Sequence, residues 1–389
     1  MAVRMENQIA PPISICSFFS GAGLLDLGFE SEGFEVAFVN EVFSPFLKAY
    51  HHARDKMGIQ RPRYGAYDGN IADLLDTEKA RITQAVQGVK KAGAIIGFVG
   101  GPPCPDFSVG GKNRGRDGDN GRLSRTYVDL IIAQKPDFFV FENVKGLYRT
   151  AKHRAFFEEL KADLSIDYVC TERLINALEY GVPQDRQRII LFGVSRERHT
   201  DQTVELDWQA QAIYPGQTAF SYSWPKPGEK RHPSSPEELT VQYWFDRNRV
   251  TEHPNARHHF QPRAGLSRFM QVLEGDDSRK SYKRLHRYRY SPTAAYGHNE
   301  VHIHPVLPRR ISAAEAMAIQ SLPEAFELPQ DMSLTDMFKT IGNGVPYLAA
   351  KGIAAAVKQY FILEGQCHHE THCREPGQFV EVVTQEYAV

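Results

Sequence analysis

The chain has 389 residues, with 46 Lys and Arg against 47 Asp and Glu, and 42% of its residues are hydrophobic. This length and composition are typical of about two globular domains and exclude a disordered chain. No run of about 18 apolar residues occurs, so we expect no membrane span, and the first residues lack the apolar segment of a secretory signal peptide. With 5 cysteines we expect no disulfide framework and a reducing, cytoplasmic setting.

The first half of the chain alternates between predicted strands and helices. Short apolar runs rich in Val, Ile and Phe predict strands at 13–19, 36–39, 95–99, 138–141 and 189–194. Helical patterns lie between or beside them at 24–31, 44–57, 77–91, 123–134 and 155–164. This order predicts a doubly wound α/β fold with a parallel sheet, and such sheets bind ligands at the carboxyl ends of their strands.

A basic segment follows. Periodicity fades after residue 195, and residues 247–290 hold 11 Lys or Arg against 4 acidic residues, a local charge of +7. Bases and aromatic residues are interleaved at 282–290. In a chain that is nearly neutral, this predicts a separate module that contacts phosphates, with a merely solvated surface as the alternative. Helical patterns return at 312–320 and 347–360.

A glycine pair follows the first predicted strand. Gly21 and Gly23 form a Gly-x-Gly turn, which lets a ligand approach the backbone because neither residue has a Cβ. Asp26 stands where a dinucleotide fold needs a third small residue, and this disfavours a nicotinamide or flavin enzyme. Glu41, 18 residues after Gly23, ends the second strand and can hold both hydroxyls of a ribose. The combination fits one adenosyl nucleoside, such as S-adenosylmethionine.

Cys104 is the candidate nucleophile. It lies in the proline-rich run 102–105 after the strand at 95–99, so a rigid loop holds it at the carboxyl edge of the sheet. A buried, inert cysteine is the alternative, and we expect that state for Cys16 and Cys170. The Gly-rich, basic run 110–121 predicts a mobile lid.

Two further features are expected at the same edge of the sheet. Glu142 and Asn143 end an apolar strand, where poor solvation raises the pKa of a carboxyl group and suits a general acid. Arg186 and Arg188 lie two residues apart, on one face of an incoming strand, and can fix a base carbonyl and a backbone phosphate. Surface salt bridges are the alternative for both arginines.

The order of these motifs resembles that of the cytosine-specific DNA methyltransferases, which modify carbon 5 of the base. The shared motifs are FFSGAG (18–23), NEV (40–42), GGPPCPDFS (100–108), ENV (142–144), QDRQR (184–188), RRISAAEAMAIQSLPEAF (309–326) and IGNGVP (341–346). The resemblance implies a doubly wound, Rossmann-like class I methyltransferase sheet with a second, smaller target-recognition domain. The implied boundaries are a catalytic domain at 1–195, the target-recognition domain at 196–308, C-terminal helices at 309–362 and a tail at 363–389.

The resemblance also implies roles for single residues. Cys104 would add to carbon 6 of cytosine, Glu142 would protonate or hydrogen-bond ring nitrogen 3, and Arg188, assisted by Arg186, would hold the base. S-adenosylmethionine is the implied cofactor, with a site formed by Phe19, Gly21, Ala22, Gly23, Glu41, Val42, Asn70, Ile71, Gly101, Pro103, Asn343 and Gly344. No metal is expected. The chain departs from the family pattern at Leu24, Asn70, Pro105 and Gly344.

The implied substrate is a cytosine flipped out of double-stranded DNA, because a stacked base cannot reach such a pocket. We expect a monomeric bacterial enzyme, with or without a cognate restriction endonuclease. The alternatives are a transfer RNA methyltransferase of the same fold and an inactive DNA-binding relative. The long basic segment and the presence of Cys104, Glu142 and Arg188 favour the DNA enzyme.

The run CHHETHC (367–373) raises the question of a zinc site near the end of the chain. Tetrahedral zinc sites usually need two separated pairs of ligands, whereas this is one compact cluster. We therefore interpret it as part of a solvated tail beyond the last predicted helix.

Overall fold

The computed structural model describes residues 11–103, 119–148, 150–262, 266–279, 281–293, 296 and 302–372. Within these residues, seven strands form one sheet in the order β3-β2-β1-β4-β5-β7-β6. The strands are β1 (Ile13–Phe18), β2 (Glu35–Asn40), β3 (Ala66–Tyr67), β4 (Ile95–Gly100), β5 (Phe138–Val144), β6 (Tyr168–Asn176) and β7 (Gln187–Ser195). Two short strands, β8 (Lys283–Arg284) and β9 (His302–Ile303), pair separately.

Helices cover both faces of the main sheet. The α-helices of the described residues are α1 (Leu24–Ser31), α2 (Ser44–Met57), α3 (Lys79–Lys91), α4 (Asp119–Gln134), α5 (Ala151–Leu164), α6 (Thr218–Ser221), α7 (Val241–Arg247), α8 (Leu266–Gln271), α9 (Ala313–Ile319), α10 (Leu334–Asn343) and α11 (Tyr347–His372). One face packs against α1 and α11, and the other packs against α3, α4 and α5. This two-sided burial explains the continuous apolar runs of the central strands. The predicted doubly wound α/β architecture is confirmed.

The prediction of a wholly parallel sheet is wrong at β7. This strand pairs antiparallel with both β5 and β6, whereas β1 pairs in parallel with β2 and β4. Residues 177–186, between β6 and β7, are too few for the helical crossover that a parallel connection needs. The chain therefore turns back, and the first residues of β7 lie beside the last residues of β5.

The C-terminal helix is longer than the sequence pattern indicates. α11 continues to His372, beyond the predicted helix end at residue 360 and the predicted start of the tail at residue 363. Residues 361–372 contain no proline, and the single Gly365 does not end the helix. Residues 367–372 therefore belong to the helix, and the interpretation of CHHETHC as lying beyond the last helix is wrong. Cys373 lies outside the described residues. The side chains of residues 365–372 lie outside the description, and among the side chains that are described no group of three or more His, Cys, Asp or Glu could hold a metal ion.

Residues 196–308 share their apolar contacts with the rest of the molecule. Val204, Leu206 and Trp208 are buried in the same cluster as the apolar face of α11. Trp244 and Phe245 of α7 pack in a second cluster with α9 and α10. The boundaries at 195 and 308 thus do not divide the core, and the exact extent of each domain stays a prediction. No helix among the described residues could cross a membrane.

Gly28 allows α1 and α11 to pack closely. A Cβ on Gly28 would lie 2.5 Å from backbone atoms of Ala350 and Lys351, so Gly28→Ala must push the helices apart. We expect the free energy of unfolding to fall by about 1–3 kcal/mol, as measured by urea denaturation. Gly88→Ala in α3 is the control. There the new methyl group meets the movable ring end of Tyr64, and alanine favours a helix by about 1 kcal/mol. Equal losses in both variants would contradict this account.

Candidate active site

A cleft of about 480 Å³, including its opening to solvent, lies at the carboxyl ends of β1, β2 and β4. Its lining residues are Ser20, Gly21, Ala22, Leu24, Leu25, Glu41, Phe46, Gly101, Thr340, Asn343, Gly344 and Val345. Of the residues expected to hold a cofactor, Gly21, Ala22, Glu41, Gly101, Asn343 and Gly344 line this cleft, whereas Phe19, Gly23, Val42, Asn70, Ile71 and Pro103 do not.

Glu41 is held in the wall of the cleft by two backbone amides. Its Oε2 accepts a hydrogen bond from the N–H of Gly21 at 2.9 Å, and its Oε1 accepts one from the N–H of Phe43 at 2.8 Å. Burial raises the pKa of Glu41, while the two amides and the charge of Lys339 act in the opposite direction. A carboxylate has about four acceptor positions, so Glu41 can also accept hydrogen bonds from ligand hydroxyls.

The glycine loop is joined to a segment near the other end of the chain. The N–H of Ala22 donates to Oγ1 of Thr340 at 3.1 Å, across 318 residues of sequence. Gly344 packs so closely against Leu24 that a Cβ would overlap the leucine side chain. Sequence reasoning missed Thr340. Its only signal is its place immediately before the motif IGNGVP, at the end of α10.

Protein atoms fill the space beside Gly23. A Cβ there would lie 2.5 Å from the ring of Tyr50 and closer still to Nη1 of Arg54. Gly23 also has a φ of +78°, in the left-handed region that favours glycine. The structure therefore gives Gly23 a packing reason, where the sequence analysis expects the approach of a ligand. Phe19, with a φ of +54°, begins the same turn.

The residues expected near an adenine have other contacts. The side-chain oxygen of Asn70 accepts a hydrogen bond from the N–H of Ala72 at 3.0 Å and caps the short 3₁₀ helix Ile71–Leu75. The side chain of Ile71 is buried in the core. Val42 is 61% exposed. The roles of these residues toward an adenine stay predictions.

Glu142 and Arg188 form an ion pair at the junction of β5 and β7. Nε of Arg188 donates to Oε1 of Glu142 at 2.9 Å, and the Glu142 side chain is 10% exposed. The antiparallel register, with Arg188 opposite Val144, brings the two side chains together. Burial raises the pKa of Glu142, and the positive charges of Arg188 and Arg186 oppose this rise. The carboxyl group therefore holds a proton more readily than an exposed glutamate does.

Gly101 lines the cleft and also lies next to the Glu142 carboxyl group of the ion pair. A Cβ on Gly101 would lie 2.6 Å from Oε2 of Glu142, so the carboxyl group approaches the backbone of a residue that lines the cleft. The described chain stops two residues later, at Pro103. Cys104 and Pro105 lie outside the described residues, as does most of the predicted lid at 110–121.

Arg186 is buried and contacts the turn that follows α10. This side chain is 1% exposed, and its Nη2 donates to the carbonyl oxygens of Gly342 at 3.0 Å and Gly344 at 2.9 Å. Arg186 precedes the first residue of β7, and its guanidinium fixes the turn that follows α10. Burial and the neighbouring Arg188 lower the pKa of Arg186. These contacts indicate a positioning role, and direct contact of Arg186 with a base stays a prediction.

Substitution of Gly101 tests the close approach of Glu142. Gly101→Ala places a methyl group against the Glu142 carboxylate, so we expect a loss of about 1–3 kcal/mol in the free energy of unfolding. In a Glu142→Ala background the carboxylate oxygen that obstructs the methyl group is absent, so Gly101→Ala should lower the free energy of unfolding far less. A double-mutant cycle from urea unfolding measures this difference. Additive losses would show that the two residues do not touch.

Comparison with known proteins agrees with this geometry. The family model of the C-5 cytosine-specific DNA methylases matches residues 13–359. The type II methyltransferase M.NmeDI of Neisseria meningitidis serogroup C is 63% identical over 367 residues, which cover 92% of this chain and 86% of that protein. M.MthTI of Methanothermobacter thermautotrophicus is 27% identical over 363 residues, which cover 89% of this chain and 97% of that protein.

A solved structure shows the same fold at low sequence identity. The S. pombe Dnmt2 methyltransferase has a TM-score of 0.56 to this chain at 11% identity, with 89% of this chain and 98% of that chain covered. The sheet order, the cleft and the family match lead to one conclusion. The chain belongs to the C-5 cytosine-specific DNA methylase family.

Proposed function

We propose that the protein transfers a methyl group from S-adenosylmethionine to carbon 5 of a cytosine in double-stranded DNA, as the methyltransferase of a type II restriction–modification system. The observation that carries the proposal is the position of Glu142. This buried carboxyl group pairs with Arg188 and approaches Gly101 at the edge of the cleft. The relation to M.NmeDI supports DNA as the substrate and a type II system as the setting.

The residues of the cleft suit S-adenosylmethionine. Glu41 offers carboxylate oxygens to ribose hydroxyls, and residues 20–23 present backbone with only small side chains. Leu24, Leu25 and Phe46 provide apolar surface of the kind that adenine and the methionine chain require. S-adenosylmethionine would supply an electrophilic methyl carbon on its sulfonium group, and the residues that line the cleft would hold it.

Carbon 5 of cytosine is a weak nucleophile, and Cys104 and Glu142 make it more reactive. The thiolate of Cys104 forms a bond to carbon 6, and Glu142 gives a proton to nitrogen 3, so that electron density from the 5,6 double bond reaches carbon 5. Carbon 5 bonds to the methyl carbon as the carbon–sulfur bond of the donor breaks. A water molecule then takes the proton from carbon 5, the thiolate leaves carbon 6, and nitrogen 3 returns its proton to the Glu142 carboxylate. Arg188 orients Glu142 throughout.

Only part of the basic segment is available to DNA. Arg284 is buried and donates to the carbonyl oxygens of His304 and Pro305 at 3.0 and 3.2 Å, and Arg287 pairs with Glu274 at 2.9 Å. Arg257, Arg268 and Arg279 are exposed instead. The net charge of +7 thus includes cations that stabilise the fold, and the exposed arginines are the candidates for phosphate contacts.

The first test measures methyl transfer from labelled S-adenosylmethionine to duplex DNA. We expect Cys104→Ser to lose at least about a thousandfold in rate, because it removes the nucleophile, while its affinity for DNA stays within about twofold. Duplexes that carry 5-fluorocytosine should form a covalent adduct with the wild type alone, because fluorine cannot leave carbon 5 as a proton does.

Transfer RNA serves as the competing substrate in the same assay. Methylation of transfer RNA and not of DNA would replace the proposed substrate by the RNA alternative. Wild-type turnover by Cys104→Ser would contradict the covalent mechanism. Bisulfite sequencing of DNA from a host that expresses the chain would then identify the methylated sequence.

The salt dependence of DNA binding separates the two groups of arginines. The logarithm of the DNA association constant falls linearly with the logarithm of the salt concentration, and each phosphate contact makes this slope steeper by about 0.9. We expect Arg268→Gln and Arg279→Gln each to reduce this slope by about one without changing thermal stability. Arg284→Gln should instead destabilise the fold, because it leaves three carbonyl oxygens of the loop 304–307 without their donor. An unchanged slope in both exposed variants would contradict this assignment.

A further inference from the structure

Arg54 is a buried cation directly under the glycine loop. It lies on α2, is 0% exposed, and stacks on the ring of Tyr50 with its guanidinium carbon 4.1 Å from the ring centroid. Nη1 donates to the carbonyl oxygen of Ala22 at 3.0 Å, and Nη2 donates to that of Gly23 at 2.7 Å. Nη2 also pairs with Oε2 of Glu30 at 2.8 Å.

The charged groups around Arg54 come from α1. Glu30 is one partner, and Asp26 is the other nearby carboxyl group, fully buried and hydrogen-bonded to the hydroxyl of Ser17 at 2.7 Å. Burial raises the pKa of Asp26 to about 6, against the effects of Arg54 and Ser17. Buried charges of this kind are often no more stabilising than apolar residues of similar volume. Stability alone therefore does not explain an arginine at this position.

The contacts of the glycine loop, residues 20–23, explain why an arginine occupies position 54. The carbonyl oxygens of Ala22 and Gly23 point to Arg54, while the N–H groups of Gly21 and Ala22 point to Glu41 and Thr340. The loop is thus fixed from two sides. Without Arg54, the carbonyl oxygen of Ala22 would lose this donor, and that of Gly23 would keep the N–H of Leu27 at 3.0 Å. The backbone of residues 21–23 could then change its dihedral angles and move the N–H of Gly21 away from the Glu41 carboxylate.

We propose that Arg54 is a positioning residue for the cofactor: by binding the carbonyl oxygens of Ala22 and Gly23, it sets the shape of the loop that holds Glu41. This inference rests on the proposed binding of S-adenosylmethionine in the cleft. Arg54 touches no ligand itself. It acts through the loop, and Gly23 lacks a side chain because the guanidinium occupies that space.

The test uses the full-length protein and the product S-adenosylhomocysteine as the probe, with affinity measured by calorimetry. In Arg54→Lys a single ammonium group cannot reach both carbonyl oxygens in the plane of the guanidinium. We expect its dissociation constant for the probe to rise by about tenfold or more. The KM for S-adenosylmethionine should rise in parallel, with kcat at saturating cofactor and the affinity for DNA within about twofold of the wild type.

Two further variants separate positioning from general stabilisation. Glu30→Gln removes the ion pair and leaves both carbonyl contacts, so we expect it to lower stability but to bind the probe within about threefold of the wild type. Arg61→Lys is the matched control, since Arg61 forms an exposed pair with Asp55 at 2.7 Å. If Arg54→Lys does not fold, Arg54→Gln replaces it, because its neutral amide needs no carboxylate partner, is too short to donate to both carbonyl oxygens and should weaken probe binding as strongly.

The outcomes distinguish the two proposals. If the wild type does not bind S-adenosylhomocysteine, the proposed function fails. If the wild type binds it and folded Arg54→Lys binds equally well, the positioning role of Arg54 is wrong. The role is also wrong if probe affinity simply follows thermal stability across the Arg54 and Glu30 variants.

Discussion

A buried ion pair at the end of two antiparallel strands is the constraint on which the rest of the site depends. Removal of Glu142 and Arg188 from water costs several kcal/mol for each ion, and only close geometry offsets this cost. The antiparallel register of β5 and β7 provides that geometry, and Gly101 leaves room for the second carboxylate oxygen. Apolar residues could fill the same space at lower cost. The pair is therefore best explained by the chemistry of a carboxyl group that can hold a proton.

The same constraint explains why α10 and its following turn lie where they do. Arg186, beside the ion pair, binds the carbonyl oxygens of Gly342 and Gly344, and Thr340 binds the N–H of Ala22. The ion pair and the glycine loop are thus connected through one short segment. A shift of α10 would change both the environment of Glu142 and the shape of the glycine loop.

Much of the fold could be predicted from the sequence. The features that could not be predicted depend on contacts that the local sequence pattern does not show. Apolar runs identify buried strands but carry no direction, so they do not predict the reversal of β7. Its short connection to β6 would indicate the reversal, but β6 has polar residues in its middle and is not among the predicted strands. α10 was missed because its last residues fall within a Gly-rich motif. Glu142, Arg188 and Glu41 were identified from their places at strand ends. Arg54 was not, because its carbonyl partners lie 31 and 32 residues earlier in the chain and nothing in a helical pattern marks a cation as buried.

The region expected to recognise DNA, residues 196–308, is bound to the catalytic part of the molecule near its start and near its end. Near its start, residues 204–208 pack in the core of the sheet. Near its end, Ser291 exchanges backbone hydrogen bonds with Pro183 and Asp185, and Thr293 donates its hydroxyl to the carbonyl oxygen of Asp185. Asp185 immediately precedes Arg186. The basic segment therefore cannot move relative to the ion pair without breaking these bonds, so the segment proposed to contact DNA and the ion pair share one junction. An exchange of recognition sequences that preserves catalysis must therefore begin after residue 208 and end before residue 291.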